Sequence, residues 1–148
     1  MIRLLVVESQ LAIRRGLRMW LQLAPDVEVV GEADDSLSAL WQLSMAHPDV
    51  VLIHLEPPEI DGGKLIRAMR SASPESAVVV LSLRDDGPTR RRSLGAGAAA
   101  FVSMHEYGER LLQAVRQAAS RPQPESKPES KIDRVEQAPP TRKASEGL

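Results

Sequence analysis

The chain of 148 residues contains no cysteine, which excludes disulfide bonds, thiolate metal sites and a cysteine nucleophile. It also lacks a long apolar run at its start, because the segment Met1–Val7 ends at the charged Glu8 and is too short for a signal peptide or a membrane span. Neither sign of charge dominates, since the formal net charge is −1. We therefore expect a cytoplasmic protein that binds neither nucleic acid nor membrane.

Residues 121–148 are poor in apolar side chains. They hold five of the eleven prolines, six basic residues and five acidic residues, and the unit Pro-Glu-Ser-Lys occurs there twice in succession. A segment this polar cannot bury enough surface to offset the entropy lost on ordering. The composition predicts a folded domain over residues 1–120 and a disordered tail over residues 121–148.

Within residues 1–120, short β-rich apolar runs alternate with stretches of helix length in which apolar residues recur every three or four positions. The third apolar run lacks polar residues on both faces, which is typical of a buried central strand in a parallel sheet. Five β-α repeats of this length predict an α/β fold, a doubly wound five-stranded parallel sheet with helices on both faces. The predicted strands are Leu4–Val7, Val27–Gly31, Val50–Ile53, Val78–Leu81 and Ala98–Val102.

The second predicted helix begins with Ser36 as its N-cap. We expect its buried face to carry Leu37, Leu40, Trp41 and Ser44. Core packing is the expectation for the other tryptophan, Trp20, as well.

Polar side chains, and in one case a methionine, follow the ends of four predicted strands. In an open parallel sheet the functional crevice lies beyond the carboxyl ends of the strands, where the strand order switches. These positions therefore predict one candidate site. Its residues are Glu8 and Ser9 after the first strand, His54 after the third, Ser82 after the fourth and Met104 after the fifth.

Several segments together resemble the receiver domain of bacterial two-component response regulators, in order and spacing across residues 1–120. They are Leu4–Ser9, Val27–Ala33, Pro48–Ile53, Pro58–Gly62 and Leu94–Ala98. The resemblance implies a flavodoxin-like (βα)5 fold and a function in phosphorelay signal transduction. Among receiver subtypes, the sequence resembles most those that are usually fused to a helix-turn-helix output domain. We expect that output domain to be absent, because the tail is short and polar.

A working receiver, as the resemblance implies, has an acidic pair after the first strand and an acceptor aspartate after the third. A Ser or Thr follows the fourth strand and a Lys follows the fifth. Clustered carboxylates bind Mg²⁺ through hard oxygen ligands, and the metal neutralises phosphoryl oxygens during in-line transfer. The aspartate is the nucleophile, the lysine pairs with the phosphoryl charge, and the hydroxyl hydrogen-bonds a phosphate oxygen.

This sequence departs from that pattern at three of the five positions. Ser9 replaces one carboxylate of the pair, His54 replaces the acceptor, and Met104 replaces the lysine, so that only Glu8 and Ser82 still fit. The resemblance therefore predicts a degenerate phosphoacceptor pocket without catalytic residues. We expect Mg²⁺ binding to be lost or weak, no other cofactor, and no aspartyl phosphorylation.

Four interpretations of His54 follow from its place in this pocket. Phosphorylation of His54 needs a cation that Met104 does not supply, and a transition-metal site needs three or four ligands where Glu8 and His54 offer two, with Asp61 a distant third. In the third interpretation Glu8 holds His54 as an imidazolium, which takes the place of the missing metal. In the fourth, His54 is a neutral packing residue. The last two stay open at this point.

The run Arg90, Arg91 and Arg92 falls on the predicted fourth helix. The resemblance places it on a partner surface made by helix 4, strand 5 and helix 5, where the run could bind an acidic partner or be a solvated face. Phe101 and Ser82 occupy the positions of the family's hydroxyl–aromatic switch pair. Without a phosphate to trigger it, we expect Phe101 to be a fixed packing residue.

These observations predict an atypical receiver, not an enzyme, that acts independently of phosphorylation by binding a protein. The expected partner is a sensor kinase, an output protein or a second copy in a homodimer, on the helix 4–strand 5–helix 5 face or the helix 1/helix 5 face. An alternative function is a small-molecule sensor that uses the emptied pocket. A third is phosphotransfer through His54.

Overall fold

A computed structural model describes residues 1–55, 62–84 and 86–120. The predicted disordered tail over residues 121–148 lies outside the described residues, as does Asp61. Strands and helices alternate along the chain, and a short 3₁₀ turn, Met104–Glu106, follows the last strand. They are β1 (Ile2–Val7), α1 (Leu11–Leu21), β2 (Val27–Ala33), α2 (Ser36–Ala46), β3 (Val50–Leu55), α3 (Gly62–Ala72), β4 (Ala77–Ser82), α4 (Gly87–Gly95), β5 (Ala100–Ser103) and α5 (Glu109–Ser120).

The five strands form one parallel sheet in the order β2-β1-β3-β4-β5. This order confirms the predicted doubly wound α/β fold, and the switch in strand order falls between β1 and β3. The last strand begins two residues later than predicted. The N–H of Ala98 still donates to the carbonyl of Ser93 in α4, so the chain is leaving the helix where the sequence predicts a strand.

Helices cover both faces of the sheet, and each face has its own apolar core. On one side α2, α3 and α4 pack over a cluster that includes Leu43, Ile66 and Phe101. On the other side α1 and α5 pack over a cluster that includes Leu17 and Leu111. Every residue of β4 is buried, as expected for a strand covered on both faces. None of the helices in the described ranges has the length and apolar character needed to cross a membrane.

The buried face of α2 differs from the predicted one. The side chains of Ala39 and Leu43 are buried, and Leu40 is half-buried against the same core, as predicted. Leu37 and Trp41, in contrast, are 80% and 60% exposed. The segment Ser36–Ala46 carries no charged residue, so apolar side chains occur around most of the helix and their period does not select one face. Packing selects Ala39 instead, because its small side chain lets the helix approach the sheet.

The N-cap of α2 is Asp35, one residue earlier than the predicted Ser36. The carboxylate of Asp35 accepts a hydrogen bond from the N–H of Ser38 at 2.7 Å, and the Ser38 hydroxyl faces the N–H of Asp35. This reciprocal capping box satisfies backbone donors that the first turn of a helix leaves unpaired. Trp20 comes closer to the predicted core packing. It is half-buried against the α1/α5 core, and its ring packs on Tyr107 in a tilted arrangement with centroids 4.9 Å apart.

Candidate functional site

Glu8 follows the last residue of β1 and is completely buried. Its N–H donates to the carbonyl of Ala33 at 2.9 Å, so pairing with β2 holds its backbone in place. Its own carbonyl accepts a hydrogen bond from the Arg14 guanidinium at 2.9 Å, and its Oε2 accepts from the N–H of Gln10 at 2.8 Å. The carboxylate is therefore held by the turn between β1 and α1.

His54 lies on the neighbouring central strand, next to the end of β1, where Val7 is in register with Ile53. Its side chain is buried, and its Nδ1 contacts the Oε1 of Glu8 in a hydrogen bond with ion-pair geometry. Both groups are shielded from water, which strengthens their mutual attraction and raises the cost of leaving either one alone. The structure thus brings together the two residues that the third interpretation of His54 requires.

Ser82 ends β4 and is in register with Leu55 of β3 and Ser103 of β5. Its hydroxyl is buried and accepts a hydrogen bond from the N–H of Arg84 at 3.0 Å. Ser103 is also buried and caps the 3₁₀ turn by accepting from the N–H of His105 at 3.1 Å. Each hydroxyl therefore stabilises the loop that follows its own strand.

Ser9 and Met104 are the two pocket positions whose side chains make no hydrogen bond among the described residues. The side chain of Ser9 is exposed. Met104 is half-buried and packs against the apolar cluster on the α1/α5 face. Its thioether extends that core, and it carries no charge that could pair with an anion.

Among the described residues, the pocket offers few oxygen ligands to a Mg²⁺ ion. The ion takes oxygen ligands in a strict octahedral geometry and is usually held by one or two carboxylates. Of the five pocket positions, Glu8 alone supplies a carboxylate, and its two oxygens already accept hydrogen bonds from His54 and Gln10. Across residues 1–55, 62–84 and 86–120, no group of three or more acidic, histidine or cysteine side chains could hold a metal ion.

The family model of the response regulator receiver domain matches residues 4–116. The chain belongs to this family. It therefore carries a receiver domain of two-component signalling, and the flavodoxin-like fold implied by the sequence resemblance is confirmed.

Solved structures match the receiver over most of its length. The signal receiver domain of the response regulator NarL from Mycobacterium tuberculosis superposes with a TM-score of 0.72 and 32% identity, covering 81% of this chain and 98% of that one. The response regulator domain of CheB from Thermotoga maritima gives a TM-score of 0.70 and 26% identity, covering 82% and 98%.

Curated relatives extend beyond the receiver. The protein-glutamate methylesterase/protein-glutamine glutaminase 2 of Cereibacter sphaeroides is 36% identical over 107 residues, which cover 72% of this chain. The chain spans 29% of the length of that relative. The response regulator GacA of Pseudomonas aeruginosa is 32% identical over 79% of this chain and 55% of its own length. The shared part is therefore the receiver region of longer proteins.

A groove of about 420 Å³ runs between α4, β5 and α5 of the receiver. The guanidinium of Arg90 lies 5.5 Å from the ring centroid of Phe101, a cation–π contact, and Arg110 from α5 lines the groove while forming an ion pair with Glu106. Phe101 itself is 2% exposed and belongs to the apolar core. Arg91 and Arg92 are exposed on α4. The α4 side of this face is therefore basic.

A second groove, of about 260 Å³, lies between the end of α1 and α5 and is lined by Trp20, Leu23 and Leu112 among others. At its border Arg116 binds Asp26 through two hydrogen bonds of 2.8 and 2.9 Å. The Arg116 guanidinium holds the pKa of Asp26 below its ordinary value. This ion pair ties α5 to the turn before β2.

Proposed function

We propose that this receiver acts without phosphorylation and signals by binding a protein on the face formed by α4, β5 and α5. The observation that carries the proposal is the buried contact between His54 and Glu8. His54 stands where the family has its acceptor aspartate. Its Nδ1 contacts Glu8, the carboxylate that remains of the family's acidic pair.

The contact provides a substitute for the charge that a metal would bring. The hydrogen bond from the imidazole occupies the Glu8 carboxylate, so the carboxylate has a partner without a cation from solution. The structure of the pocket then does not depend on a bound ion or a phosphoryl group. Ser9 and Met104 support the same proposal, because neither can bind a metal strongly or neutralise a phosphoryl oxygen.

The basic face supports the second half of the proposal. Arg90, Arg91 and Arg92 lie on one exposed turn of α4 beside an open groove. A surface of one charge sign speeds the encounter with a partner of opposite sign and disfavours partners of like sign. We infer that the partner, whether a sensor kinase or an output protein, presents an acidic surface.

The small-molecule alternative finds no support in the pocket. A ligand needs polar groups that are ready to accept its own hydrogen bonds. The carboxylate of Glu8 and the hydroxyl of Ser82 already serve contacts within the chain.

Incubation with acetyl phosphate and Mg²⁺, followed by intact-mass measurement at neutral pH, tests the proposal that the receiver is not phosphorylated. We expect no added phosphoryl mass, whereas a receiver that retains the acidic pair, aspartate and lysine gains one group as the positive control. Neutral handling preserves an acid-labile phosphohistidine. A stoichiometric phosphoryl adduct on this chain would overturn the proposal.

Quantitative capture of partners from a lysate of the cell that naturally makes the protein tests the proposal that a protein binds the α4–β5–α5 face. We expect the bound partner to be the same with and without acetyl phosphate, and to be reduced about tenfold or more by Arg90→Glu together with Arg92→Glu. Arg15→Glu changes an exposed arginine on α1 and serves as the matched control. Equal retention by the α4 variant and the control would remove the face from the proposal.

A further inference from the structure

Arg14 lies in the first turn of α1, and its charged side chain is only 16% exposed. Its N–H donates to the carbonyl of Gln10 at 2.9 Å, and the same turn contains no acidic residue. A cation at the start of a helix faces the positive end of the helix dipole. Helix stability therefore does not explain the place of Arg14, and its buried charge must be held by other groups.

Two separate segments hold the Arg14 guanidinium. Its Nε donates to the Oε1 of Glu32 at 3.2 Å, and one of its terminal nitrogens donates to the carbonyl of Glu8 at 2.9 Å. Glu32 is the last residue but one of β2 and is in register with Val6 of β1. The rigid fork of a guanidinium can direct donors at two partners at once. Arg14 thus joins α1, β2 and the residue that follows β1.

The carbonyl of Glu8 lies beyond the part of the sheet that aligns β1 with β3. The register between these two strands ends at Val7 and Ile53. The N–H of Glu8 is fixed by the carbonyl of Ala33. The bond from Arg14 fixes the carbonyl, and therefore the rotation of the planar peptide group that links Glu8 to the next residue. Both backbone groups of Glu8 are accordingly tied to the end of β2, one directly and one through Arg14.

The orientation of this peptide group matters to the pocket, because the Glu8 carboxylate is bonded from the same turn. Its Oε2 accepts from the N–H of Gln10 at 2.8 Å, and its Oε1 contacts the Nδ1 of His54. A rotation of the Glu8 peptide group moves Gln10 relative to the carboxylate, which then turns away from the imidazole. A hydrogen bond weakens steeply as its angle departs from the optimum. The contact with His54 therefore depends on the bond from Arg14.

We propose that Arg14 is a positioning residue of the Glu8–His54 pair: anchored on Glu32, it holds the Glu8 carbonyl and so keeps the carboxylate directed at the imidazole. This inference rests on the proposed function, since it concerns the same pair. It adds that the pocket depends on α1 and β2, neither of which supplies an atom to the Glu8–His54 contact. In a simpler interpretation, Arg14 and Glu32 only tie α1 to the sheet.

Arg18 provides the matched control, because it lies on the same helix and pairs with the same carboxylate. A terminal nitrogen of its guanidinium lies 3.0 Å from the Oε2 of Glu32, and its side chain is 53% exposed. Within the described residues, Arg18 makes no hydrogen bond with Glu8. Arg14→Gln and Arg18→Gln therefore remove the same charge and an ion pair with the same partner, but only Arg14→Gln removes a donor to Glu8.

The low-field proton resonance of the hydrogen bond at Nδ1 of His54, in the 15N-labelled chain of 148 residues, tests the proposal. Its absence from His54→Phe assigns it. We expect the wild type and Arg18→Gln to show this resonance, and Arg14→Gln to lose it through exchange with water while circular dichroism shows a folded chain. Persistence in Arg14→Gln, or equal loss in Arg18→Gln, would overturn the positioning role and leave the proposed function intact. A wild type without the resonance would instead contradict the Glu8–His54 contact, and with it both proposals.

Glu32→Gln provides a second test, which holds even if Arg14→Gln does not fold. The amide keeps the shape of the side chain but pairs less strongly with both arginines. We expect the Nδ1 proton of His54 to exchange with water about tenfold faster in Glu32→Gln than in the wild type, and at an unchanged rate in Arg18→Gln. Equal rates in Glu32→Gln and the wild type would overturn the proposal, because Arg14 would then need no anchor on β2.

Discussion

Removing either member of the Glu8–His54 pair is expected to lower the free energy of unfolding strongly. Removing both is expected to cost much less than the sum of the two single losses. Glu8→Leu leaves the imidazole without its carboxylate, and His54→Phe leaves the carboxylate without its imidazole. The double variant removes both polar groups and fills the space with apolar atoms. A double-mutant cycle over these three variants therefore measures the ion-pair contact separately from packing.

The magnitude follows from burial, since the two side chains are 0% and 1% exposed. Breaking a buried pair by removing one partner costs about 3–5 kcal/mol, whereas replacing the whole pair by apolar residues is often nearly neutral. In the double variant the N–H of Gln10 loses its acceptor, which adds about 1 kcal/mol. We expect a coupling energy of at least about 2 kcal/mol. Each single variant should lower Tm by about 12–20 °C in a domain of this size.

Urea unfolding followed by circular dichroism at neutral pH gives the four free energies. Glu8→Leu combined with Ile66→Val supplies the control cycle, because Ile66 is a buried core residue on α3 that makes no polar contact with Glu8. The control pair should be additive within about 0.5 kcal/mol. If the Glu8–His54 cycle is additive to the same extent, His54 is a packing residue and the charge-substitution argument is wrong.

Two further perturbations test how the scaffold is held. The lowered pKa of Asp26 means that its pairing with Arg116 contributes stability above the ordinary value of 3.8, and that this contribution is lost as pH falls through the folded-state pKa. Asp26→Asn should therefore lower the urea midpoint at pH 6 but converge with the wild type in acid; a constant difference across pH contradicts this. Gly97 has φ 117°, and a Cβ there would lie 2.9 Å from the Arg70 side chain. Gly97→Ala should therefore destabilise by about 1–3 kcal/mol in the same assay, and an unchanged midpoint contradicts this.

Much of the fold was predictable from the sequence for local reasons. The alternation of apolar runs with helix-length stretches is a property of neighbouring residues, and parallel strands joined by helices place their carboxyl ends at one edge of the sheet. The sequence alone therefore predicts that Glu8, His54 and Ser82 lie near one another. The structure places all three at that edge, although Ser82 bonds to its own loop.

Other features depend on contacts between distant segments, and only the tertiary structure decided them. Periodicity could not select the buried face of α2, because that helix is uncharged and Ala39, with its small side chain, faces the sheet. Met104 joins the α1/α5 core because of helices elsewhere in the chain. The sequence by itself determined that Glu8, His54 and Ser82 lie at the carboxyl ends of their strands. The structure showed that Glu8 meets His54, since that contact joins two residues 46 positions apart and requires β1 and β3 to lie side by side.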